Sequence, residues 1–343
     1  MTLAPLPRAV RYAPGILLAA AVGVLALATA RAEERVFGHP LIEGLVVAIL
    51  LGMVVRTAWT PPEHVDVGVR FTAKQVLEAA VFLLGASVDL PLLLAAGPAL
   101  GAGIVLLVVL GIAASFVIGR ALGLPNKLAI LVACGNGICG NSAIAAVAPV
   151  IHANREHVAS SIAFTAILGV VVVVGLPFLI GPLRLSFYQY GVLAGLTVYA
   201  VPQVLAAAFP VSALSGQVGT LVKLVRVLML GPVVLFFAVR HRHETSDAGQ
   251  RPRFSITRFV PWFIIGFLAL AALRSAGALP ARWAESARTL SMWLTIAAMA
   301  ALGLGVDVRS VKRVGRPVIA TVSASLVVLI ALAVTLIRGL GIR

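Results

Sequence analysis

The sequence predicts an all-α, polytopic membrane protein with about eleven transmembrane helices. Of its 343 residues, 61% are apolar and only 11% are charged, whereas soluble domains are usually about 45–50% apolar. The mean hydropathy is +1.07. Apolar runs close to the roughly 17–25 residues that cross a bilayer recur along the whole chain. This composition excludes a soluble domain.

Eleven segments come close to this length, and short polar loops separate them. Their approximate boundaries are 14–30, 41–59, 76–96, 99–119, 127–150, 158–181, 188–209, 213–239, 256–277, 286–306 and 315–337. The longest polar stretch, at about 240–255, is predicted to be a cytoplasmic linker. We therefore treat residues 1–343 as a single transmembrane transporter domain.

The basic residues predict the orientation in the membrane. The net charge is +15, and most Lys and Arg residues fall in loops on one side of the predicted spans, which is the cytoplasmic side by the positive-inside rule. This places the N-terminus inside and the C-terminus outside. Because no basic stripe is interleaved with aromatic residues, nucleic acid is not an expected partner.

An internal repeat becomes visible when the sequence is shifted by 218 positions. The stretch from Leu84 to Asp89 then falls on the stretch from Leu302 to Asp307. The repeat-related portions are about 76–150 and 286–343. The matched spans lie seven spans apart, an odd number, so the two copies are expected to run in opposite directions. Inverted repeats of this kind are typical of alternating-access transporters.

The fifth segment is predicted to be a broken helix. Three glycines fall within six residues, and each costs a helix about 1 kcal/mol relative to Ala. Irregular backbone at bilayer depth survives only inside protein or beside a watery cavity, and broken helices often bind the substrate of a carrier. A small-residue packing face is the alternative. The predicted substrate-binding residues here are Asn136, Gly137, Gly140, Asn141 and Ser142.

The seventh segment contains Pro202 in mid-span and is therefore expected to be kinked or broken as well. The nearby Thr197, Tyr199 and Gln203 are candidate hydrogen-bond donors to a ligand. Alternatively, these side chains only repair the kink.

Lys223 and Arg226 lie on one helix face within the eighth segment. A charge toward the bilayer centre costs about 2.5 kcal/mol or more, so the pair is expected to face protein or water and to suit an anionic substrate. One alternative is that both side chains snorkel to the interface. Another is permanent pairing with Glu78 or Asp307, which would leave a neutral or cationic substrate.

Three carboxylates are candidates for coupling or gating: Asp89, Asp307 and Glu78. Such groups often carry H⁺ or Na⁺ coupling in carriers. The alternative is that they cap helices or are solvated near an interface.

No pattern calls for an enzyme, a metal or a cofactor. All six His residues fall near span ends or in loops, which leaves no acid–base machinery at bilayer depth. The two cysteines, Cys134 and Cys139, lack the further ligands that a zinc site needs. An anion channel remains open as a rival, since Gly-rich broken helices also line pores.

Three motifs carry a resemblance to a known family: residues 135–151, beginning Gly-Asn-Gly-Ile-Cys-Gly-Asn-Ser; residues 222–232, Val-Lys-Leu-Val-Arg-Val-Leu-Met-Leu-Gly-Pro; and residues 301–307, Ala-Leu-Gly-Leu-Gly-Val-Asp. Together they resemble the YeiH-type family of bacterial inner-membrane proteins, described as sulfate exporters. The resemblance implies a relation to the bile-acid, arsenite and riboflavin transporter superfamily, with two inverted five-helix repeats and a crossed pair of broken helices. It also implies a secondary transporter that exports sulfate or a small organosulfonate. The expected partners are a small anion and membrane lipid. A homodimer is one of the oligomeric states that the sequence leaves open.

Two departures from the family pattern fall at the expected site. Val198-Tyr199-Ala200 stands where many members have an Ile-His-Glu type of sequence, so a titratable pair is missing there. Residues 135–142 replace a Gly-Thr-Ser-Ile-Cys-Gly-Ala-Ser pattern. The substrate or the coupling ion is therefore expected to differ from that of typical members.

Overall fold

The structure is a computed structural model that describes residues 8–37, 44–87, 97–240, 262–307, 309 and 315–342. Over these ranges the chain is helical and contains no β-strand. In chain order the helices are α1 (Arg8–Phe37), α2 (Gly44–Ala58), α3 (Glu63–Phe71), α4 (Leu77–Leu84), α5 (Gly97–Ala121), α6 (Asn126–Cys134), α7 (Asn141–Val147), α8 (Arg155–Gly175), α9 (Ile180–Leu183), α10 (Phe187–Thr197), α11 (Val201–Ala208), α12 (Ala213–Leu228), α13 (Leu230–Arg240), α14 (Trp262–Ser275), α15 (Ala281–Leu304) and α16 (Arg316–Gly339).

The helices form two compact units. The first unit comprises Met1–Leu90 and Phe263–Arg309, and the second comprises Pro91–Trp262 and Ser310–Arg343. The first unit therefore joins the N-terminal part of the chain to a later segment, and the second joins the central part to the C-terminal part.

Five helical stretches are long and apolar enough to cross a membrane, as expected of a multi-pass membrane protein. They are Arg11–Ala32, Gly97–Ala121, Ala213–Arg240, Ala281–Leu304 and Arg316–Gly339. Other predicted spans are divided into shorter apolar helices, among them Gly44–Ala58, Asn126–Cys139, Leu168–Leu183 and Trp262–Ser275. The count of about eleven spans remains a prediction.

Small residues bring the helices of the first unit close together. A Cβ atom on Gly52 of α2 would lie 2.4 Å from the Ala300 carbonyl oxygen of α15. A Cβ atom on Gly68 of α3 would lie 2.2 Å from the Tyr12 carbonyl oxygen of α1. Only glycine allows this backbone-to-backbone packing, which is common between helices in membranes.

Two contacts of the first unit are related by the 218-residue offset. Gly85, after α4, lies against the Phe267 backbone of α14, and Gly303 of α15 lies against the Ile49 backbone of α2. The offset relates Gly85 to Gly303 and Ile49 to Phe267. The N-caps of α3 and α15 are the prolines Pro62 and Pro280, which the same offset also relates.

In the second unit, α5 and α16 pack antiparallel. Gly103, Gly111 and Gly119 of α5 lie against Leu336, Leu329 and Thr321 of α16, respectively. Residue numbers rise along one helix as they fall along the other. The contacting residues Gly111 and Leu329 are separated by 218 positions, which is the offset of the predicted repeat.

The ends of α5 and α16 are also alike. Each helix ends before a glycine with positive φ, Gly123 (84°) and Gly341 (60°). In both, the next residue donates its N–H five positions back, from Leu124 to Gly119 and from Ile342 to Ile337. This is the Schellman arrangement, in which a left-handed glycine satisfies the last carbonyls.

Candidate functional site

The first break of the second unit lies between α6 and α7. The chain leaves α6 through a π-turn, Gly135–Cys139, and then takes φ 57° and ψ −123° at Gly140 before α7 begins. This conformation is open to glycine and strained for other residues. An unbroken helix would pair the Gly137 and Ile138 carbonyls with the N–H groups of Asn141 and Ser142, and the break removes those partners.

The second break lies between α10 and α11. Val198 and Ala200 are extended, with ψ angles of 144° and 150°, and Pro202 sits in the first turn of α11. Proline suits that position because its missing N–H would have no intrahelical acceptor. The two breaks are neighbours, since a Cβ atom on Gly140 would lie 3.6 Å from the Tyr199 Cβ atom.

Close packing of α10 on α12 brings the two predicted cations to these breaks. Cβ atoms on Gly191 and Gly195 would lie 2.7 and 2.6 Å from the carbonyl oxygens of Ser215 and Gly219. This approach carries Lys223 and Arg226, on the C-terminal half of α12, to the end of α10. Both side chains are 0% exposed, so neither snorkels to an interface.

Arg226 bridges the two breaks. Its Nη1 donates to the Gly195 and Leu196 carbonyls at the end of α10. Its Nη2 donates to the carbonyls of Asn136, at 3.1 Å, and Gly137, at 2.7 Å. Its Nε is buried and has no hydrogen-bond partner among the described residues. The guanidinium thus ties four backbone carbonyls into one cluster.

Lys223 makes a second bridge beside the first. Its Nζ donates to the Ile138 carbonyl at 2.6 Å and to the Val198 carbonyl at 2.7 Å. These acceptors belong to the first and second breaks, respectively. The two cations therefore satisfy backbone groups that the breaks leave without helical partners, which the bilayer itself could not do.

The surroundings of the two cations are strongly positive. Within the described part of the second unit, the only acidic side chain is Glu156, which is exposed at the start of α8. The ends of α6 and α10 supply partial negative charge, equivalent to about −0.5 each. Two buried cations next to two such helix ends leave a net positive charge in the core of the unit.

Asn136 anchors the first break to the antiparallel pair α5 and α16. Its Nδ2 donates to the Ser115 Oγ of α5 at 3.0 Å and to the Ser325 Oγ of α16 at 2.8 Å. Its Oδ1 is buried and finds no hydrogen-bond partner in the part of the chain that the structure describes. Asn136 thus fixes the first break to both α5 and α16.

Asn141 and Ser142, at the start of α7, are exposed on the second unit. The Thr165 hydroxyl of α8 donates to Asn141 Oδ1. This bond holds the asparagine side chain in place, and the amide nitrogen takes no part in it. These two side chains are the predicted ligand donors that the structure leaves accessible.

The candidates of the seventh segment have mainly internal partners. Thr197 donates to the Leu193 carbonyl of its own helix, and Gln203 Oε1 accepts from the Ala200 N–H, which caps α11. A Cβ atom on Gly169 of α8 would lie 2.0 Å from Gln203 Nε2, so the Gln203 amide packs closely against this glycine. The Tyr199 hydroxyl is buried, and no residue within the described ranges forms a hydrogen bond with it.

The three coupling candidates are the carboxylates Glu78, Asp307 and Asp89. Glu78 of α4 and Asp307 after α15 belong to the first unit and are half-buried. Asp307 Oδ1 accepts from the Arg309 N–H at 2.9 Å. Asp89 falls outside the described residues. Their coupling or gating role stays a prediction.

The two cysteines lie at the first break as buried, free thiols. Among the residues that the structure describes, no group of His, Cys, Asp and Glu could hold a metal ion.

The sequence analysis did not single out Ser115, Ser325 and Thr165. Each lies in a mainly apolar helix and bonds a polar residue at a break. Only Ser115 is the single hydroxyl residue of its helix, whereas α8 and α16 carry several, and such residues are common at helix contacts in membranes.

Comparisons with known proteins place the chain in a family. The family model described as "Conserved hypothetical protein 698" matches residues 14–321. The chain is 53% identical over 325 residues to a UPF0324 membrane protein of Bradyrhizobium diazoefficiens, which covers 95% of this chain and 92% of that one. It is 35% identical over 319 residues to the UPF0324 membrane protein TauZ of Paracoccus denitrificans, which covers 90% and 91%, respectively.

No solved structure matches the chain. With 308 consecutive positions, residues 14–321, inside the family model and relatives aligned over nearly their whole length, the chain belongs to the YeiH-type, UPF0324 family of membrane proteins.

Proposed function

We propose that this protein is a secondary transporter of small anions that works by alternating access. The observation that carries the proposal is the pair of broken helices in the second unit, joined by Lys223 and Arg226. Two adjacent breaks remove many backbone hydrogen bonds. The two buried cations donate to the carbonyl groups that the breaks leave without helical partners. Such construction is typical of the substrate sites of carriers, whereas a purely structural bundle would use unbroken helices.

The charge of the cluster favours an anionic substrate. Lys223 and Arg226 are already bonded to carbonyls, so we assign them to holding the breaks and to raising the local potential. At an effective dielectric constant of about 20, a unit charge about 8 Å from an anion contributes about 2 kcal/mol. The exposed side chains of Asn141 and Ser142 then supply direct hydrogen bonds.

Alternating access is supported by the repeat geometry. The 218-residue offset relates helix contacts within the first unit and, separately, the antiparallel pair α5 and α16 of the second. Opposite orientation of two related segments is the arrangement expected of an inverted repeat. We propose that this repeat extends over residues 44–123 and 262–341.

Sulfonates and other oxyanions with a single charge are the substrates that this site suits best. Each hydrogen bond between a charged and a neutral partner is worth about 1.5–3 kcal/mol, and a few such bonds offset the dehydration of a monoanion more readily than that of sulfate. The proposed location is the bacterial inner membrane, with the N-terminus in the cytoplasm.

A thermal-shift panel on purified protein tests the site. The ligands are sulfate, sulfite, taurine, sulfoacetate, bicarbonate and simple carboxylates. We expect a sulfonate-type anion to raise the Tm. Asn141→Ala should lower the affinity for that anion about tenfold or more, because one hydrogen bond to the charged ligand is lost.

The matched control is Asn126→Ala. Asn126 is exposed and opens α6 as Asn141 opens α7, and its loss should leave the ligand response unchanged. An equal response in Asn141→Ala and the wild type, or no stabilisation by any anion, contradicts this site.

A further inference from the structure

The carbonyl oxygens at the two breaks form a ligand set for cations. Six of them point at the side chains of Lys223 and Arg226, namely those of Asn136, Gly137, Ile138, Gly195, Leu196 and Val198. In many carriers, unwound carbonyls and the C-terminal ends of half-helices coordinate Na⁺. Here these oxygens already accept hydrogen bonds from Lys223 and Arg226.

We infer that Lys223 and Arg226 are built-in replacements for a coupling cation, so that sodium neither binds at the breaks nor drives transport. The statement about binding stands on the geometry alone. The statement about transport rests on the proposed function and deepens it, since it removes sodium from the alternatives for coupling.

The two cations differ in what can replace them. The Lys223 ammonium is a compact point charge between two carbonyls, one from each break, and resembles a small monovalent ion. The Arg226 guanidinium is a planar fork on four carbonyls, a pattern that a spherical ion cannot reproduce. Truncation of Lys223 should therefore open a site for a free monovalent cation, whereas truncation of Arg226 should not.

The test compares the thermal stability of three purified proteins in sodium, ammonium, methylammonium and choline chloride at equal ionic strength. The wild type should show the same Tm in all four salts. Lys223→Ala should have a lower Tm in choline, and methylammonium, ammonium or sodium should restore at least half of the loss.

The matched control is Lys127→Ala. Lys127 also donates to a carbonyl, that of His152 at 3.2 Å, but at an exposed site. Its variant should show no cation-dependent recovery, because water already reaches that carbonyl. A specific rise of the wild-type Tm in sodium, or a folded Lys223→Ala protein that recovers in none of the cations, overturns the inference.

The experiment remains decisive if Lys223→Ala fails to fold in ordinary buffer. Its folded yield is then compared after extraction in methylammonium and in choline, and an equal lack of folded protein in both counts against the inference. No substrate is present in any arm. A failure to detect anion transport would therefore contradict the proposed function without affecting the result on cation binding.

Discussion

Arg226→Gln is expected to abolish the stable fold of the second unit. The wild-type side chain donates four hydrogen bonds to carbonyls of two breaks, and the single amide of Gln can serve at most two acceptors. Bonds to a charged group are worth about 1.5–3 kcal/mol each, so the loss reaches a large part of the roughly 5–15 kcal/mol that stabilises a typical domain. Size-exclusion chromatography of detergent-extracted protein, followed by a Tm measurement, should show aggregation or no cooperative transition.

The control is Arg120→Gln. Arg120 is exposed and donates to one carbonyl, that of Leu124, just after α5, so its loss should lower the Tm much less than the loss of Arg226. Arg226→Lys should also fail to restore stability, because an ammonium has three donors and no planar fork. A monodisperse Arg226→Gln protein with the wild-type Tm would show that the breaks are held by other contacts.

Gly140→Ala is expected to lower the stability and to remove anion binding together. The Gly140 backbone has φ 57° and ψ −123°, and forcing another residue into such a region costs on the order of 1–3 kcal/mol. The nearest atoms to an added Cβ are 3.6 Å away, so the penalty is conformational rather than steric. Relaxation of the backbone would move Asn141 and would also pull Ile138 away from Lys223. The Tm and the ligand-induced shift measure both effects.

Gly101→Ala provides the comparison. Gly101 lies within α5, and a Cβ atom there would meet nothing within 4 Å. Since Ala is a better helix former than Gly, this variant should keep or slightly raise the Tm and keep the ligand response. If Gly140→Ala behaves in the same way, the left-handed turn is not needed to form the site.

The first break could be predicted from local sequence because its cause is local. Glycine and asparagine side chains weaken the helix at residues 135–142, and the structure leaves the α-helix there, at Gly140. The second break was predicted as a kink centred on Pro202. In the structure Pro202 lies in the first turn of α11, and the extended residues are 198–200. The cap that Gln203 makes on Ala200 fixes this position, and such a cap is recognised only once the helix start is known.

The partners of the two cations could not be predicted in the same way. Spacing placed Lys223 and Arg226 on one buried face, and both are buried. Their acceptors are backbone carbonyls, which every residue carries, and they lie as far as 90 positions away along the chain. Only the close packing of α10 on α12 brings them together. The same holds for Asn136, whose partner Ser325 is 189 positions distant.

The repeat could be predicted from the sequence only in part. The constant offset was visible in the sequence around Asp89 and Asp307, although Asp89 itself falls outside the described residues. The contact between Gly111 and Leu329 could not be predicted from the sequence, because a glycine and a leucine are different residue types and give no match at this offset. It becomes meaningful only when the antiparallel packing of α5 and α16 is known.

Counterflow in proteoliposomes tests the central claim most directly. Vesicles with purified wild-type protein are loaded with a sulfonate that raises the Tm, and are then placed in a trace of the same labelled anion in sodium-free medium. An anion carrier predicts transient, saturable accumulation of label above equilibrium, which unlabelled anion outside abolishes and which empty vesicles lack. Label that only equilibrates, together with an ohmic anion current, would identify a channel and contradict the account.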